Sequence, residues 1–335
     1  MIAAVGDAME AARFRDFIPE GAEVCLKPNL GWDLFLPGAV TSPLVVEGVV
    51  RKLQGYVSKL YMVEADQVLV DIEKSFRQTR MDRICERYGI EWVNLSKTPF
   101  VQVPVPKALE VESIPLPEIL TRTTLVTIPV MKTHGKTVLT GAIKNQWGCL
   151  PTFRHNYHPV VNEVLRDLTS VLRPAFAVMD ATVALEGNGP KSGRPRICNL
   201  VLASGDPVAI DTIAGEVMGL LGRFEVPHLQ YCAEAGLGVH DRNAIDVLDS
   251  DRQPRETPRF DFQTAEHNAV SWVETVLRKT GIRKLVFETK LLDVMCWGAK
   301  VWYFIWYYLV KGRRLRDTAI SESPYGTQWT KDEPR

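Results

Sequence analysis

Three lysines, a histidine and an asparagine lie in the stretch Lys132–Asn145, and their side chains suit the binding of an anion. The stretch follows an apolar run, Leu125–Val130, which predicts a buried strand that ends near Pro129 and is followed by a polar loop. Charged groups beside a buried strand are costly unless they have partners, and an anionic ligand would be such a partner. The alternative interpretation is a solvated loop followed by an amphipathic helix, since charged residues are usually exposed.

Candidate roles follow from side-chain chemistry. His134 is the candidate for proton transfer, because the unperturbed pKa of histidine lies near neutrality, and Lys132 and Asp180 complete the candidate catalytic set. Lysine binds carboxylate or phosphate through point-charge contacts, so the expected substrate is a small anionic metabolite. Besides Lys132, the candidate substrate-binding residues are Lys27, Asn29, Lys144 and Asn145.

A mononuclear metal site is a further hypothesis. Its candidate ligands are His134, His155, His158 and Glu186. Two histidines and one carboxylate are the ligand set of mononuclear non-haem iron sites, so iron is the metal to expect. The spacing matches no specific metal motif, and neighbouring lysines would repel a cation. The alternative is that these histidines are general bases or ordinary polar residues.

A doubly wound, mostly parallel α/β sheet is the fold that would bring these residues together. Such a sheet places the carboxyl ends of its strands at one edge, where ligands bind. The predicted strands are Glu23–Leu26, Lys59–Val63, Glu91–Leu95, Leu125–Val130, Ala175–Met179 and Ile197–Ala203. The predicted helices are one capped by Ser42, then Asp71–Tyr88, His158–Leu172, Asp206–Gly219 and Pro227–Ala235. The Pro-rich stretch Pro99–Pro117 is expected to be an extended or two-stranded excursion.

The glycine-rich stretch Gly187–Gly193 is either a ligand loop or a plain surface turn. Glycines let backbone N–H groups approach an anion closely. It is not a Walker A loop, because Pro190 stands where that motif requires a glycine. Asp180, at the end of the preceding strand, either takes part in catalysis or holds this loop in shape. Asp206 is expected to cap the helix that follows it.

The stretch Lys132–Gly148, KTHGKTVLTGAIKNQWG, resembles the central motif of the DUF362 family, a group of bacterial and archaeal proteins of unknown function. Further matching segments are Lys27-Pro28-Asn29, Thr41-Ser42-Pro43, Asp180–Pro190 and Ala203–Asp211. The resemblance implies that Gly187–Gly193 is a ligand loop, with Asn188 and Lys191 as substrate-binding residues. It also implies redox chemistry, since many relatives resemble redox proteins that carry a ferredoxin-like tail.

Composition restricts the function. The chain has 335 residues and a formal net charge of zero, with no basic block before residue 311, so nucleic acid is not an expected partner. The six cysteines form no CxxC pattern, so neither an iron–sulfur cluster nor a cysteine zinc module is expected, and the cofactor is otherwise unknown. The first residues lack the features of a secretory signal, and a cytoplasmic location is expected.

The domain hypothesis is a DUF362-like α/β domain over residues 1–256 and a helical C-terminal extension over residues 257–335, with a first helix near Glu266–Thr280. Residues 291–316 are predicted to form an aromatic amphipathic helix with a basic end. Asp293 and Lys300 interrupt the apolar run, which makes it a poor membrane span. Tryptophan and tyrosine beside basic residues suit attachment at the inner membrane face. The alternative is a helix packed on the sheet or in a homo-oligomer interface.

The sequence therefore predicts an enzyme that acts on a small anionic metabolite in a cleft at the strand ends. Redox chemistry is the class implied by the family resemblance, with a metal or a separate electron donor. The alternative hypothesis is a non-catalytic ligand-binding protein that docks on a membrane or a partner through its aromatic C-terminal helix.

Overall fold

The computed structural model describes residues 1–67, 69–264 and 291–330. For residues 152, 153, 155, 156 and 291–296 it describes the backbone alone. The helix predicted near Glu266–Thr280 lies outside the described residues.

A mixed, mostly parallel sheet of eight strands forms the centre of the described part of the chain. The strands in chain order are β1 (Glu23–Pro28), β2 (Lys59–Glu64), β3 (Glu91–Asn94), β4 (Phe100–Pro104), β5 (Ser113–Pro117), β6 (Thr124–Ile128), β7 (Val130–His134), β8 (Val138–Thr140), β9 (Phe176–Glu186) and β10 (Arg194–Ser204). The order in the sheet is β3-β2-β1-β6-β9-β7-β8, with β10 antiparallel to β9. The strands β4 and β5 form a separate hairpin, which confirms the predicted two-stranded excursion.

Helices cover both faces of this sheet. They are α1 (Ile2–Ala11), α2 (Pro43–Leu53), α3 (Ile72–Gln78), α4 (Met81–Tyr88), α5 (Glu118–Arg122), α6 (Ala142–Asn145), α7 (Val161–Val171), α8 (Pro207–Val217), α9 (Pro227–Glu234), α10 (Leu291–Ile305) and α11 (Gly312–Glu322). In β1, Val24 and Leu26 pack with α1 and α2, whereas Cys25 belongs to the apolar cluster that contains α7 and α8. Alternate side chains thus enter different cores, and the predicted doubly wound α/β class is confirmed.

The polar stretch after Pro129 is a strand rather than the predicted loop. Pro129 has no N–H to donate, so it ends β6, and its oxygen accepts from the backbone nitrogen of Asp180 at 2.8 Å. The chain then continues as β7, which pairs in parallel with β9 and folds back antiparallel as β8. The strand β10 pairs along one edge of β9. The strands β6 and β7 therefore share the opposite edge of β9. Lys132 and His134 are therefore presented by a strand.

Further boundaries differ from the prediction. Residues 291–316, predicted to form one amphipathic helix, consist of α10, a π-helical turn at Trp306–Val310 and the start of α11. The helix expected at Asp71–Tyr88 is divided into α3 and α4, because the Thr79 hydroxyl donates to the preceding carbonyls of Ser75 and Phe76 and Arg80 adopts a positive φ of 62°. The strand expected to end at Met179 continues to Glu186, so Asp180 lies inside β9 and not at a strand end.

Residues 291–330, the described part of the predicted C-terminal extension, pack on the sheet and its helices and supply a cap for one of them. Ser42 occupies the N-cap position of α2 as predicted, but its own side chain makes no capping hydrogen bond. The side-chain oxygen of Gln328 instead accepts from the backbone nitrogen of Leu44 at 3.2 Å, and the Ser42 hydroxyl donates to the same oxygen. Nearby, the Tyr307 hydroxyl donates to the backbone oxygen of Phe35 at 2.6 Å. These contacts attach the two ends of the described chain to each other.

Candidate functional site

Asn29 connects the elements that form the candidate site. Its Nδ2 donates to Oδ1 of Asn145 in α6 at 3.0 Å, and its Oδ1 accepts from Nζ of Lys132 in β7 at 3.1 Å. Asn145 in turn donates to the backbone oxygen of Lys27 at 3.0 Å and to Oγ1 of Thr127 at 2.9 Å. The two amides thus join the ends of β1, β6 and α6 to the middle of β7. Four of the residues predicted to bind substrate or to act in catalysis are therefore neighbours.

Lys27 is neutralised by a carboxylate inside the protein. Its Nζ lies 2.5 Å from Oε2 of Glu64 at the end of β2, and both side chains are buried. Gly148 packs against this pair so closely that a Cβ there would lie 2.7 Å from Oε1 of Glu64. Lys27 was predicted to bind substrate, and its partner Glu64 was not singled out from the sequence. This arrangement favours a supporting role for Lys27.

Lys132 and Lys144 are buried, and within the described ranges no Asp or Glu forms an ion pair with either. The Lys132 ammonium donates to the backbone oxygen of Ala39 at 2.8 Å as well as to Asn29. The Lys144 ammonium lies 4.7 Å from the centre of the Trp147 ring. Neutral oxygens and an aromatic face orient these cations, but they leave the positive charge uncompensated.

The electrostatic consequence is a lowered pKa at each of these groups. Burial, followed by the positive charge of Lys191, lowers the pKa of Lys132 to about 7. Burial also lowers the pKa of Lys144 well below its ordinary value, with the nearby Arg154 guanidinium as the next cause. The free site therefore disfavours the protonated form of both lysines, and an entering anion would favour it again.

His134 is a neutral imidazole in this arrangement. Its Nδ1 accepts from the backbone nitrogens of Lys136 at 3.0 Å and Thr137 at 3.3 Å. Because a backbone N–H only donates, Nδ1 carries no proton and the ring proton lies on Nε2. Burial, followed by the charge of Lys144, lowers the pKa of His134 well below its ordinary value. This geometry favours hydrogen-bond donation from Nε2 over the proton transfer that we predicted for His134.

Asp211 holds α6, and with it Lys144 and Asn145, in place. Its carboxylate accepts from the backbone nitrogens of Ala142 at 2.5 Å and Ile143 at 2.9 Å, which are free donors at the start of that helix. Gly141 allows this approach, because a Cβ there would lie 2.0 Å from Oδ1 of Asp211. Burial raises the pKa of Asp211 to about 7. Sequence reasoning missed this role, although an aspartate within the apolar helix α8 was a usable signal.

The glycine-rich loop Gly187–Gly193 lies against β7. The Thr133 hydroxyl donates to the backbone oxygen of Gly187 at 2.9 Å, and a Cβ on Gly189 would lie 2.0 Å from the backbone oxygen of Thr133. The side-chain oxygen of Asn188 is buried with no hydrogen-bond partner among the described residues. The Lys191 ammonium lies 5.1 Å from the centre of the Trp32 ring. The loop thus lies beside Lys132, where the family resemblance placed a ligand loop.

The predicted carboxylates are engaged in structural hydrogen bonds. Asp180 accepts from the backbone nitrogen of Ser42 at 2.7 Å and from the backbone nitrogen and hydroxyl of Thr182 at 3.0 and 2.6 Å. Asp206 accepts from the backbone nitrogens of Val208 and Ala209, which confirms the predicted helix cap. These contacts favour a positioning role for Asp180 at the start of α2.

The predicted metal ligands do not form a cluster in the part of the chain whose side chains are described. There, no three His, Cys, Asp or Glu side chains come together as a metal site. Glu186 pairs with Arg196 at 3.0 Å, and the His158 ring stacks on Trp147 with centroids 5.7 Å apart. The His155 side chain lies outside the described residues, so the full set of predicted ligands stays a hypothesis.

A family model described as a domain of unknown function, DUF362, matches residues 24–216. The chain belongs to the DUF362 family. The matched range contains Lys27, Asn29, Lys132, Lys144 and Asp211. A thylakoid-associated protein of Synechocystis sp. is similar at 29% identity over 104 residues, which is 29% of this chain and 32% of that protein.

Two solved structures are also similar at low identity. A protein from Thermotoga maritima has a TM-score of 0.40 at 11% identity, covering 62% of this chain and 56% of the other. The lactate racemase apoprotein from Thermoanaerobacterium thermosaccharolyticum has a TM-score of 0.40 at 12% identity, covering 63% and 53%. The chain thus spans about a third of the curated relative and little more than half of each solved structure.

Proposed function

We propose that the chain is an enzyme that binds a small anionic metabolite between β7, α6 and the loop Gly187–Gly193. The observation that carries the proposal is the pair of buried lysines, Lys132 and Lys144, with neither of which a carboxylate of the described residues forms an ion pair. A bound carboxylate or phosphate would compensate both charges through charge-assisted hydrogen bonds. The unpartnered oxygen of Asn188 would accept a hydrogen bond from a hydroxyl or a protonated group of the same ligand.

Lys132 is the group that we propose for proton transfer. An amine whose pKa lies near 7 exists in both protonation states at neutral pH, which is the condition for general acid–base catalysis. Lys144 would hold the anionic group, and His134 would donate its Nε2 proton in a hydrogen bond to the same ligand. Asn29 and Asn145 orient these groups, and Asp180 positions α2 beside them.

The class of reaction remains the one that the family resemblance implies, which is redox chemistry. A proton donor such as Lys132 fits that class, because reduction of an oxygen-containing substrate takes up protons. A metal such as iron or a separate electron donor would supply the electrons. This part of the proposal is tested by metal analysis of protein purified without oxygen.

The binding proposal is tested by thermal unfolding of the full chain with a panel of anions that contains phosphate, monocarboxylates and dicarboxylates. A ligand stabilises the folded state by about 2.7 kcal/mol at a concentration one hundred times its dissociation constant. We expect at least one anion to raise the Tm of the wild-type protein. Lys132→Met and Lys144→Met should each abolish that rise while leaving a folded protein, since methionine fills the same buried space.

Two further variants make the test specific. Lys97→Met removes an exposed lysine far along the chain from the site and should leave the anion-dependent rise unchanged. His134→Asn keeps an acceptor for the two backbone nitrogens at the turn but removes the Nε2 donor, so it should weaken the rise without lowering the Tm of the free protein. An equal rise in Lys144→Met and in the wild type would contradict the proposal.

A non-catalytic ligand-binding protein that docks on a membrane is the second candidate. Exposed aromatic side chains in the C-terminal extension favour it, and so does the similarity to a thylakoid-associated protein. The corresponding location is the cytoplasm with peripheral attachment at the inner membrane face. The two candidates are compatible, because the exposed side chains and the lysine site are formed by different residues. A ligand that binds but is never converted under any redox condition would favour the second candidate.

A further inference from the structure

The C-terminal extension exposes a set of large apolar side chains, which we call the aromatic face. Its members are Trp297, Val301, Trp302, Phe304, Ile305, Tyr308, Leu309 and Val310. The exposed fraction is 76% for Leu309 and 68% for Trp297, so these side chains are largely in water. An apolar surface of this kind on a protein marks a site of contact with a protein or a membrane.

The opposite side of the same segment is already packed on the sheet domain. Trp306 and Tyr307 are buried in an apolar cluster with Trp32 and Leu36. The Tyr303 ring makes an edge contact with Trp32, with ring centroids 5.0 Å apart. The predicted packing of this segment on the protein body therefore accounts for its inner side only. The aromatic face needs a different partner.

The charged residues within positions 297–316 all have the same sign. Residues 297–316 contain five Lys and Arg residues and no Asp or Glu, in a chain whose formal net charge is zero. Lys300, Lys311, Arg313 and Arg314 are exposed. The fifth, Arg316, pairs with Asp317 outside the segment. The surface thus joins exposed tryptophan, tyrosine and phenylalanine side chains to an unbalanced positive charge.

We infer that the aromatic face docks on an anionic lipid bilayer, with its aromatic rings in the interface and its basic residues at the headgroups. Tryptophan and tyrosine prefer that interface, and lysine and arginine are attracted to anionic lipid. The segment lies on the bilayer and does not cross it. Helix α10 has 15 residues, and no helix within the described ranges has the length and apolarity of a membrane span.

A second copy of the chain is a poorer fit to the same surface. In a two-fold symmetric dimer the same patch contacts itself, so the basic residues of one copy would face those of the other. Like charges opposed across an interface are unfavourable, whereas anionic headgroups would compensate them. This inference rests on the proposed membrane docking and not on the lysine site. Loss of vesicle binding with an intact anion-dependent rise in Tm would therefore leave the proposed anion binding standing.

The test is co-sedimentation of the full chain with vesicles of phosphatidylcholine alone and of phosphatidylcholine with phosphatidylserine. We expect binding to the anionic vesicles that weakens as salt is raised from 0.1 to 0.5 M, because salt screens the headgroup attraction. Lys311→Gln, Arg313→Gln and Arg314→Gln together should weaken binding on the order of 100-fold, since each basic residue near such a surface contributes about fivefold. Phe304→Ser with Leu309→Ser should abolish binding to the anionic vesicles.

Matched variants control for surface changes in general. Phe224→Ser with Leu109→Ser removes two exposed apolar side chains of the same types elsewhere, and this variant should bind vesicles as the wild type does. Arg77→Gln, Arg173→Gln and Arg255→Gln remove three exposed charges elsewhere and should do the same. The inference is overturned if the full chain ignores anionic vesicles. It is also overturned if sedimentation velocity shows a dimer that Phe304→Ser with Leu309→Ser dissociates while no variant binds vesicles.

Discussion

The ammonium of Lys132 lies 3.1 Å from the side-chain oxygen of Asn29. The side-chain nitrogen of Asn29 in turn donates to the side-chain oxygen of Asn145. An amide oxygen fixes the direction of the lysine side chain but brings no negative charge. Lys27, by contrast, has the carboxylate of Glu64 at 2.5 Å. Lys27 is therefore suited to a structural role, and Lys132 is suited to binding a ligand.

Anion binding should depend on pH through Lys132. In the free protein its pKa lies at about 7, so the ammonium is lost as the pH rises through that value. A bound anion favours the ammonium and raises this pKa. Affinity should therefore be highest below pH 7 and fall above it by up to about tenfold per pH unit, until the pKa of the complex is reached.

Calorimetric titration at pH 8 in two buffers of different ionisation enthalpy measures this effect directly. We expect proton uptake on binding, because the amine becomes protonated in the complex. Glu64 and Lys191 also act on the charge of Lys132, but neither needs to change its protonation state for this result. Affinity that does not change between pH 6 and 9, or proton release on binding, would rule out the assigned role.

The Lys27–Glu64 pair should show strong energetic coupling. Lys27→Met leaves a buried carboxylate without its cation, and removal of one partner of a buried pair costs about 3–5 kcal/mol. Glu64→Gln leaves the ammonium without its anion. The double variant should recover much of the loss, because neither charge remains. Urea unfolding of the four proteins gives the coupling free energy.

An exposed pair at the other edge of the same sheet is the control. Lys59 and Glu91 are also within 2.7 Å of each other, but both side chains are about half exposed. Lys59→Met and Glu91→Gln should have little effect on the free energy of unfolding, singly or together, because solvent screens this pair. Equal coupling in the two pairs would show that burial is not the cause.

Gly141→Ala should disturb the site through Asp211. The added Cβ would lie 2.0 Å from the carboxylate oxygen that caps α6, so the helix must move. We expect a loss of about 1–3 kcal/mol in the free energy of unfolding, as for overpacked interiors, together with loss of the anion-dependent rise in Tm. Thermal unfolding with and without the anion measures both.

Gly6→Ala is the matched control for that substitution. Gly6 lies inside α1, and the nearest side-chain atom to an added Cβ is 3.7 Å away, on Lys52. Alanine there should increase the free energy of unfolding by about 0.5–1 kcal/mol, because glycine weakens a helix interior. Anion binding should be unchanged. Normal anion binding by Gly141→Ala would show that α6 does not position the ligand groups.

Gln328→Ala should lower the free energy of unfolding by about 0.5–2 kcal/mol, which is the usual effect of losing an N-terminal cap. Gln328→Glu keeps the acceptor oxygen and places a negative charge at the positive end of α2. It also removes the amide nitrogen, which is buried without a hydrogen-bond partner in the described structure. The Gln328→Glu variant should therefore have the same free energy of unfolding as the wild type. An alanine variant as stable as the wild type, measured in urea, would contradict the capping role.

Much of the sheet could be predicted because its information is local. β1, β2 and β3 are short apolar runs separated by helices with recognisable ends, and Asp206 stands directly before Pro207 at the start of α8. The end of β6 near Pro129 could also be predicted, but the second strand, β7, that follows it could not. Lys132 and His134 occur in a strand because β9 lies beside them, and β9 begins more than forty residues later. Pairing between such distant segments has no local signal.

The site was predicted as a set of residue types, and the structure decides which of them act together. Lys132, Lys144, Asn29 and Asn145 were identified because lysine and asparagine beside buried strands need partners. Their individual roles depend on contacts that the sequence does not encode locally. Glu64 neutralises Lys27 and no carboxylate of the described chain neutralises Lys132. Likewise, the role of His134 depends on two backbone nitrogens that only the turn geometry supplies.

The contact between Gln328 and α2 affects how the protein is made. Gln328 and Leu44 are 284 residues apart along the chain. The ribosome adds about 5–20 residues per second, so Gln328, which caps α2, is synthesised many seconds after the first turn of that helix. During that time α2 and the strands around it form without their last hydrogen bond. The amino-terminal half of the sheet thus reaches its final stability only when translation has passed residue 328, and nascent chains released before that point should be preferred substrates of chaperones and proteases.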